Sequence, residues 1–512
     1  MTRIILTMLF ALLSFTAPAK AAIDAKGAAH LKTVFTQYLD DRKAAMKASR
    51  RELRTEGPLT VEPAGSYYAI TMPHISLINA DGTSTDVGIF AINALPGDRA
   101  NEWKLTLASP TPITGYGIDK QPRFRTTIGG QTFNGIWNET IQTFTKLDAQ
   151  YLNIVVNQIQ DGIVIKVPKT TIIYNLTPSG DGKTWSGPLK YEMTDIQALR
   201  RGETTPSRIG RFSMAMNVRD FDPAQGTAYQ KKIATLNTGK VTTEQLPGIY
   251  AAFFDFIGSS WSGFDSKITV DSIALAQPPD SGKPAGMINL GQAAVKFDME
   301  GFKTGAVKSH LNVGYDGLSF KPPQPGMSDT VPAHLALDMV ADKLPLKELT
   351  ALAVKNILPE TATPEAKRAA GMELARMIPE LLTQAGTTVK VSDSSFGNAT
   401  YNVLMNGLLN ADVKSLYGAR GKMKLEAKGV DQLLKAMQTQ MKDPKLSAQA
   451  QAGLQKAYVV MMVVNGVGQQ DKATGMRVYD LELTPEGKVM MNGQDLSLLI
   501  ALAQAAAPKP KR

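Results

Sequence analysis

From Leu59 to about Ala198 apolar residues recur at every second position, and this constrains the chain more than any other feature. Tyr68, Ile70 and Met72 alternate with other residues, as do Val87, Ile89 and Ala91, and Trp103, Leu105 and Leu107. Further runs are Ile154-Val156, Ile163-Ile165-Val167, Ile172-Tyr174-Leu176 and Leu189-Tyr191-Met193. Between them stand Asp81-Gly82, Pro96-Gly97-Asp98, Gly129-Gly130, Asp161-Gly162 and the stretch Ser179 to Gly182, all residues that favour turns. A period of two puts alternate side chains on opposite faces, so short runs joined by turns predict an antiparallel sheet with one buried and one wet face. Pro73 marks a bend or an edge, because proline has no N–H to give to a ladder.

After about Arg211 the period switches between two and 3.6. A strand pattern at Phe212, Met214, Met216 and Val218 is followed by helix-like stretches at Pro223 to Leu236 and Gln245 to Ile257, ending before Gly258. A second copy has Leu335-Leu337-Met339, then Leu346 to Ile357 and Pro364 to Ala385. In the last of these Leu374, Met377, Ile378, Leu381, Leu382 and Ala385 share a face, Thr363 is placed to cap, Pro364 suits the first turn and Gly386 ends it. Pro379 would kink it. The third copy runs from Met423 to Gly466, with Val430, Leu433, Leu434, Met437 and Met441 on one helix and Leu454, Ala457, Tyr458, Met461 and Met462 on the next. Strand runs return after each copy: Ile268-Val270 and Ile273-Leu275, Val389-Val391 and Tyr401-Val403-Met405, then Val478-Leu481; a longer set spans Ile288 to Phe320.

The expected fold is therefore α+β. A helical segment at 22–58, with Leu31, Val34, Phe35 and Tyr38 on its apolar face, precedes an antiparallel β-rich domain at 59–205. A repeat-containing domain follows at 206–512, with strand–helix–helix–strand units near 212–275, 335–405 and 423–499 and helices layered on antiparallel sheet.

The first 21 residues read as a secretion signal: Arg3, an apolar run from Ile4 to Phe15, and Ala19-Lys20-Ala21 as a cleavage site. That run of ~12 residues falls short of the ~20 needed to span a bilayer. No cysteine occurs, which excludes disulfides, thiolate metal sites and a lipid-modified N-terminal cysteine. Together these point to the bacterial periplasm. The formal charge of +10 is diffuse, with small clusters at Arg50-Arg51, Arg200-Arg201, Lys231-Lys232 and residues 509–512, as suits a solvated surface. An exported chain is a poor partner for nucleic acid. Leu496 to Ala507 is apolar and too short to span, consistent with packing on the last sheet or with peripheral contact at an anionic membrane.

The run LELTPEGKVMMNG (481–493), followed by Asp495, Leu496, Ser497, Leu498 and Leu499, resembles the end of YdgA-like bacterial envelope proteins, a group of unknown function. The segments RDFD (219–222) and LPLKEL (344–349) are similar to units of that group, so the resemblance covers about residues 206–512; residues 22–205 have none. Alternating strands closing on Asn-Gly are more distantly similar to AsmA-like proteins, and that resemblance implies a role in handling envelope lipid. Neither implies a catalytic or ligand residue in this chain.

Motifs of catalysis are weak. Gly180 to Thr184 has a phosphate-loop look, but Thr177 stands where the first glycine belongs and strands flank it. Gly258 to Gly263 contains serines, none with glycine at both −2 and +2. His30, His74, His310 and His334 show no metal-ligand spacing. Asp40-Asp41 and Asp220/Asp222 read as helix-flanking acids rather than an acid–base pair. The methionines, 22 in all, concentrate on the helix faces named above, where they fill cores or adapt to flexible ligands. No cofactor or metal is expected, and no catalytic residue is assigned. The favoured reading is a non-enzymatic exported protein that binds or shelters a hydrophobic ligand, such as an acyl chain, or supports envelope assembly. A hydrolase of envelope material, with a site assembled from distant residues, and a protein-interaction scaffold are the alternatives.

Overall fold

The computed structural model describes residues 23–48, 50–236, 245–277, 286–323, 327–358, 362–444, 446 and 448–497. The expected signal at 1–21 and all but the first two residues of the apolar C-terminal stretch lie outside them. The chain divides into two units, Met1–Tyr151 and Leu152–Arg512.

The first unit begins with α1 (Ala25–Ala48). Its strands are β1 (Glu52–Glu56), β2 (Thr60–Ala64), β3 (Tyr67–Thr71), β4 (His74–Ile78), β5 (Ser84–Gly88), β6 (Ala91–Pro96), β7 (Glu102–Ala108), β8 (Ile113–Tyr116), β9 (Pro122–Thr127), β10 (Gly130–Asn138) and the start of β11 (Thr143–Gln158). Antiparallel pairing runs β2–β3–β6–β7–β10 and, separately, β1–β4–β5–β8–β9. Opposed pairs such as Ile70 with Ile92 and Ala94 with Leu105 present apolar side chains on one face of the first ladder. Helix α1 covers that face with Leu31, Phe35 and Leu39, a spacing of four, and Leu31 is wholly buried. Phe35 stacks on Trp137 at 5.5 Å between ring centroids. Glu139 fixes the helix from below, accepting a hydrogen bond from Trp103 Nε1 at 3.0 Å and pairing with His30 Nε2 at 3.0 Å. The core is closed.

The second unit is one meandering antiparallel ladder. After β11 come β12 (Ile163–Asn175), β13 (Thr177–Pro178), β14 (Trp185–Arg200), β15 (Ser207–Phe221), β16 (Gly263–Gln277), β17 (Gly286–Glu300), β18 (Val307–Asp316), β19 (Ser319–Lys321) and β20 (His334–Leu344). Then follow β21 (Thr388–Gly397), β22 (Asn402–Ala411), β23 (Ala419–Lys428), β24 (Gln469–Gln470), β25 (Arg477–Leu483), β26 (Val489–Met491) and β27 (Gln494–Asp495). Neighbours pair in the order β12–β14–β15–β16–β17–β18–β20–β21–β22–β23–β25–β26–β27.

The expected α+β fold of repeated strand–helix–helix–strand units is thereby overturned: the protein is largely β, 49% strand and 26% helix. The helices α2 (Pro223–Leu236), α3 (Leu246–Ser260), α4 (Met327–Thr330), α5 (Leu346–Lys355), α6 (Pro364–Ala385), α7 (Val430–Met441) and α8 (Ala448–Val467) interrupt connections between strands. They do not form a layer over separate sheets. The strands on either side of α2 and α3 pair directly, as do those flanking α5 and α6, so the hydrogen-bonded ladder passes each insertion without a break. The helices pack on one another, α2 on α3, α3 on α5, α5 on α6 and α7 on α8; α6 also runs close along β20 and β22, and α7 and α8 set Val430, Met461 and Val464 against Ala427, Tyr479 and Met491 of the sheet. Local periodicity revealed these helices; it said nothing about which strands bond across them.

A kink crosses several strands at one level. Asp195 in β14 and Ser272 in β16 have left-handed φ of 54° and 55°, and Gly210 of β15 and Gly291 of β17 stand at the same level. Strand alternation is interrupted at such a residue, and the apolar positions shift parity there. Met193 gives way to Ile196, Phe212 to Ile209, Val270 to Ile273, and Ala293 to Leu290. The shift keeps the apolar set on one face.

Candidate ligand-binding face

Residues directly opposite each other in an antiparallel pair share a face, so the registers define what each face presents. One row crosses the second unit's sheet through Tyr174, Leu189, Met216, Ser266, Phe297, Leu311, Met339, Val391, Gly407, Met423, Leu481 and Met491. The next row begins Ile172, Tyr191, Met214, Ile268, Val295, Val313 and Leu337. Every member of both rows is uncharged, and Ser266 is the one polar side chain among aliphatic and aromatic ones. The reverse face is polar. There Lys190, Ala215, Lys267, Lys296, Asn312 and Asp338 stand opposite one another.

The apolar face is not sealed. Along β14 to β17 its side chains are half-buried or exposed, and none is buried. Ile268 is 38% exposed and Val295 41%. Towards the C-terminal end a closed cluster forms, where Ala427, Val430, Tyr479 and Met491 are buried and Met461, Val464 and Leu496 pack against them, and at the far edge of β16 Phe264 stacks on the buried Phe302. Burial pushes up the Tyr191 phenol on the open stretch and the Tyr479 phenol in the closed one. Tyr401 is pushed up to about 12 by burial and by the nearby Tyr315, while its hydroxyl donates to the Thr330 carbonyl at 3.0 Å.

Ion pairs tie many of the charges on the polar face together. Arg219 reaches Asp298 at 2.8 Å, Arg211 reaches Asp271 at 2.8 Å, and Lys424 reaches Glu426 at 2.8 Å. Asp338 takes hydrogen bonds from His310 and Asn312 at 3.0 Å each; burial works to raise its pKa, but these bonds prevail and hold it below the usual carboxylate range. A concavity of about 680 Å³ lies at the C-terminal end of this face, with Lys390, Leu408, Lys422, Glu482 and Met490 in a single row across its floor. Lys422 and Glu482 approach to 3.6 Å there.

The weak motifs of the sequence fall in separate places. Gly180 to Thr184 is a hairpin turn, with Gly182 at φ +70° and Asp181 bonded to Ser179 Oγ at 2.6 Å. In Gly258 to Gly263 the helix runs on to Ser260, which is wholly buried; Trp261 packs edge-on against Phe256 and Phe221, and Ser262 Oγ donates to Asp220. His30 pairs with Glu139, His74 with Asp86, His310 with Asp338 and His334 with Asn402. Asp41 accepts from Gln37 and Gln142, Asp40 lies 3.8 Å from Lys43, and Asp222 accepts from Ala224 N at the start of α2. Among the described residues no group of three or more His, Asp or Glu could hold a metal ion. No described helix is long and apolar enough to cross a membrane.

What sequence reasoning missed is the face itself. The methionines Met214, Met216, Met339, Met423 and Met491 belong to strands and to one continuous surface, whereas the sequence drew attention to helix stripes. The signal was present in the alternation of Phe212, Met214, Met216 and Val218; the pairing that joins it to Leu311 and Leu481 was not. Comparison with protein-family models, curated proteins and solved structures finds no match to this chain.

Proposed function

We propose that the second unit binds an extended hydrophobic ligand, an acyl chain of an envelope lipid, along the apolar face of its sheet. The observation behind this reading is the uncharged row from Tyr174 to Met491, left half-exposed between β14 and β17. Large contiguous apolar surfaces are rare on proteins with nothing to bind, and each methylene transferred onto such a face contributes about 0.8 kcal/mol. Methionines along it suit a chain that has no fixed shape, because their unbranched side chains adapt. The protein acts without catalysis, in the periplasm, after removal of residues 1–21. The secretion pattern of those residues and the resemblance of 206–512 to YdgA-like and AsmA-like envelope proteins support that setting.

Native mass spectrometry of the full-length mature protein, followed by organic extraction, tests the reading. Co-purified lipid and saturable binding of a fluorescent fatty acid are the expected results. A protein that emerges lipid-free and leaves the probe unbound would sink it.

A further inference from the structure

We propose that the loop joining β22 to β23 is a membrane-docking element that seats the protein on an anionic lipid surface. Its tip holds Val413, Leu416 and Tyr417 out in solvent at 49%, 76% and 56% exposure. These side chains are presented by a braced frame. Asp412 N donates to Gly418 O at 3.0 Å, Gly418 N to Ser415 O at 2.9 Å, and Lys414 N to Asp412 Oδ1 at 2.9 Å. Ser415 is turned inward and buried, at 6%, between the two exposed pairs. Gly418 has φ +70° and lies so close to Pro379 of α6 that an added Cβ would stand 2.7 Å from the ring. Leu416 likewise lies against Gly487 in the β25–β26 turn, where an added Cβ would stand 2.3 Å from it.

A large aliphatic and a tyrosine held outward on a rigid tip match the interfacial zone of a bilayer, where tyrosine rings settle at headgroup depth. The flanking charges favour an anionic surface. Lys414, Arg420 and Lys488 are exposed around the tip; Asp412 is engaged by Arg420 at 3.4 Å and Lys488 stands in the field of Glu486 and Asp495, so Lys414 is the cation at the tip that no ion pair among the described residues offsets. Basic residues beside an inserting tip gain from the negative potential of anionic lipid. The hairpin leaves the sheet beside Leu409 and Leu483, residues in register with the apolar face, so docking would set one end of that face at the lipid surface.

Flotation of the full-length mature protein with phosphatidylcholine vesicles, with and without phosphatidylglycerol, tests the proposal. The wild type is expected to float with the phosphatidylglycerol vesicles and less so in high salt. The double variant Leu416→Ser, Tyr417→Ser should lose at least about ten-fold in binding, the scale set by two buried apolar side chains. The pair Lys414→Glu, Lys488→Glu should weaken binding to anionic vesicles and leave binding to neutral ones unchanged. Equal flotation of wild type and the serine variant, with both folded by circular dichroism, would overturn the proposal. So would wild-type self-association that the serine substitutions abolish, since the tip would then belong to a second copy. Fatty-acid binding in vesicle-free buffer separates this from the acyl-chain reading: if only that reading fails, flotation persists without probe binding, and if only the docking fails, the probe still binds.

Discussion

The first unit and the middle of the second use the same sequence pattern and reach opposite ends. In both, apolar residues alternate along antiparallel strands and line one face. In the first unit α1 lies on that face with Leu31, Phe35 and Leu39, and Tyr68, Ile70 and Ala94 beneath it are almost completely buried. In the second, α7 and α8 close the face only at its C-terminal end, while α2 and α3 pack on each other; Tyr229 of α2 stacks on Phe256 of α3 at 4.7 Å. The face from β14 to β17 is left with partial cover. Alternation therefore specifies that a face is apolar and leaves open what covers it. The covering partner decides whether the face becomes a core or a binding surface.

The sharpest way to break this contrast is to cut side chains on each face. Leu31→Ala removes a wholly buried side chain from a packed site and should cost about 2–5 kcal/mol. Val295→Ala, at 41% exposure, should cost well under about 1 kcal/mol. Denaturant melts of the two variants measure both. Similar losses would mean that the second unit's face is packed after all.

The second test adds charge. Val295→Glu together with Met216→Glu places two carboxylates on the proposed path of an acyl chain. The variant should remain folded by circular dichroism and lose at least about ten-fold in fatty-acid affinity, since each charge forfeits apolar contact and must be desolvated. Ile70→Glu in the first unit, where the side chain is 1% exposed, should abolish the cooperative melt. If Val295→Glu with Met216→Glu unfolds the protein as Ile70→Glu does, the distinction between core and surface is lost.

How far the sequence reaches is clearest at the kink. Ile268-Val270 and Ile273-Leu275 read as two short runs because their parity differs, yet they are one strand, β16, bent at Ser272. Ile163 to Val167 and Ile172 to Tyr174 are likewise one strand, β12. In β16 the left-handed Ser272 resets the phase, and in β12 the parity changes between Val167 and Ile172 with no left-handed residue in the strand. The helix ends were easier, since caps are local: Thr363 accepts from Ala366 N at 3.2 Å and Gly386 closes α6 at φ +68°. The continuity of the sheet was illegible. Pairing of β18 with β20 or β23 with β25 depends on contacts between residues far apart in sequence, and no single-strand pattern encodes it.

Capping supplies a third, smaller test. Thr363→Ala removes the acceptor at the start of α6 and should cost about 1 kcal/mol. Because α6 is an insertion between directly paired strands, hydrogen exchange should quicken within 364–370 and leave β20 and β21 protected. Loss of protection in those strands would show that the helix holds the sheet together, making the second unit more like the first.

The smallest effect concerns the polar face. Asp338 has a pKa held below its ordinary 3.8, with burial opposing and the hydrogen bonds from His310 and Asn312 prevailing. A carboxyl depressed in the folded state stabilises at pH values above its unfolded pKa, and that contribution disappears as the pH falls through the lower folded value. The window is thus below about pH 4, the region of the ordinary carboxylate. Asp338 and His310 are 28% and 30% exposed, so solvent screening keeps the effect to a few tenths of a kcal/mol. Asp338→Asn should flatten the acid limb of the stability curve by that amount and leave fatty-acid binding unchanged, because Asp338 and the apolar row stand on opposite sides of the sheet. A change in ligand affinity in this variant would mean that the two faces are coupled through β18 and β20, and the comparison between a sealed unit and an open one would have to include the polar side as well.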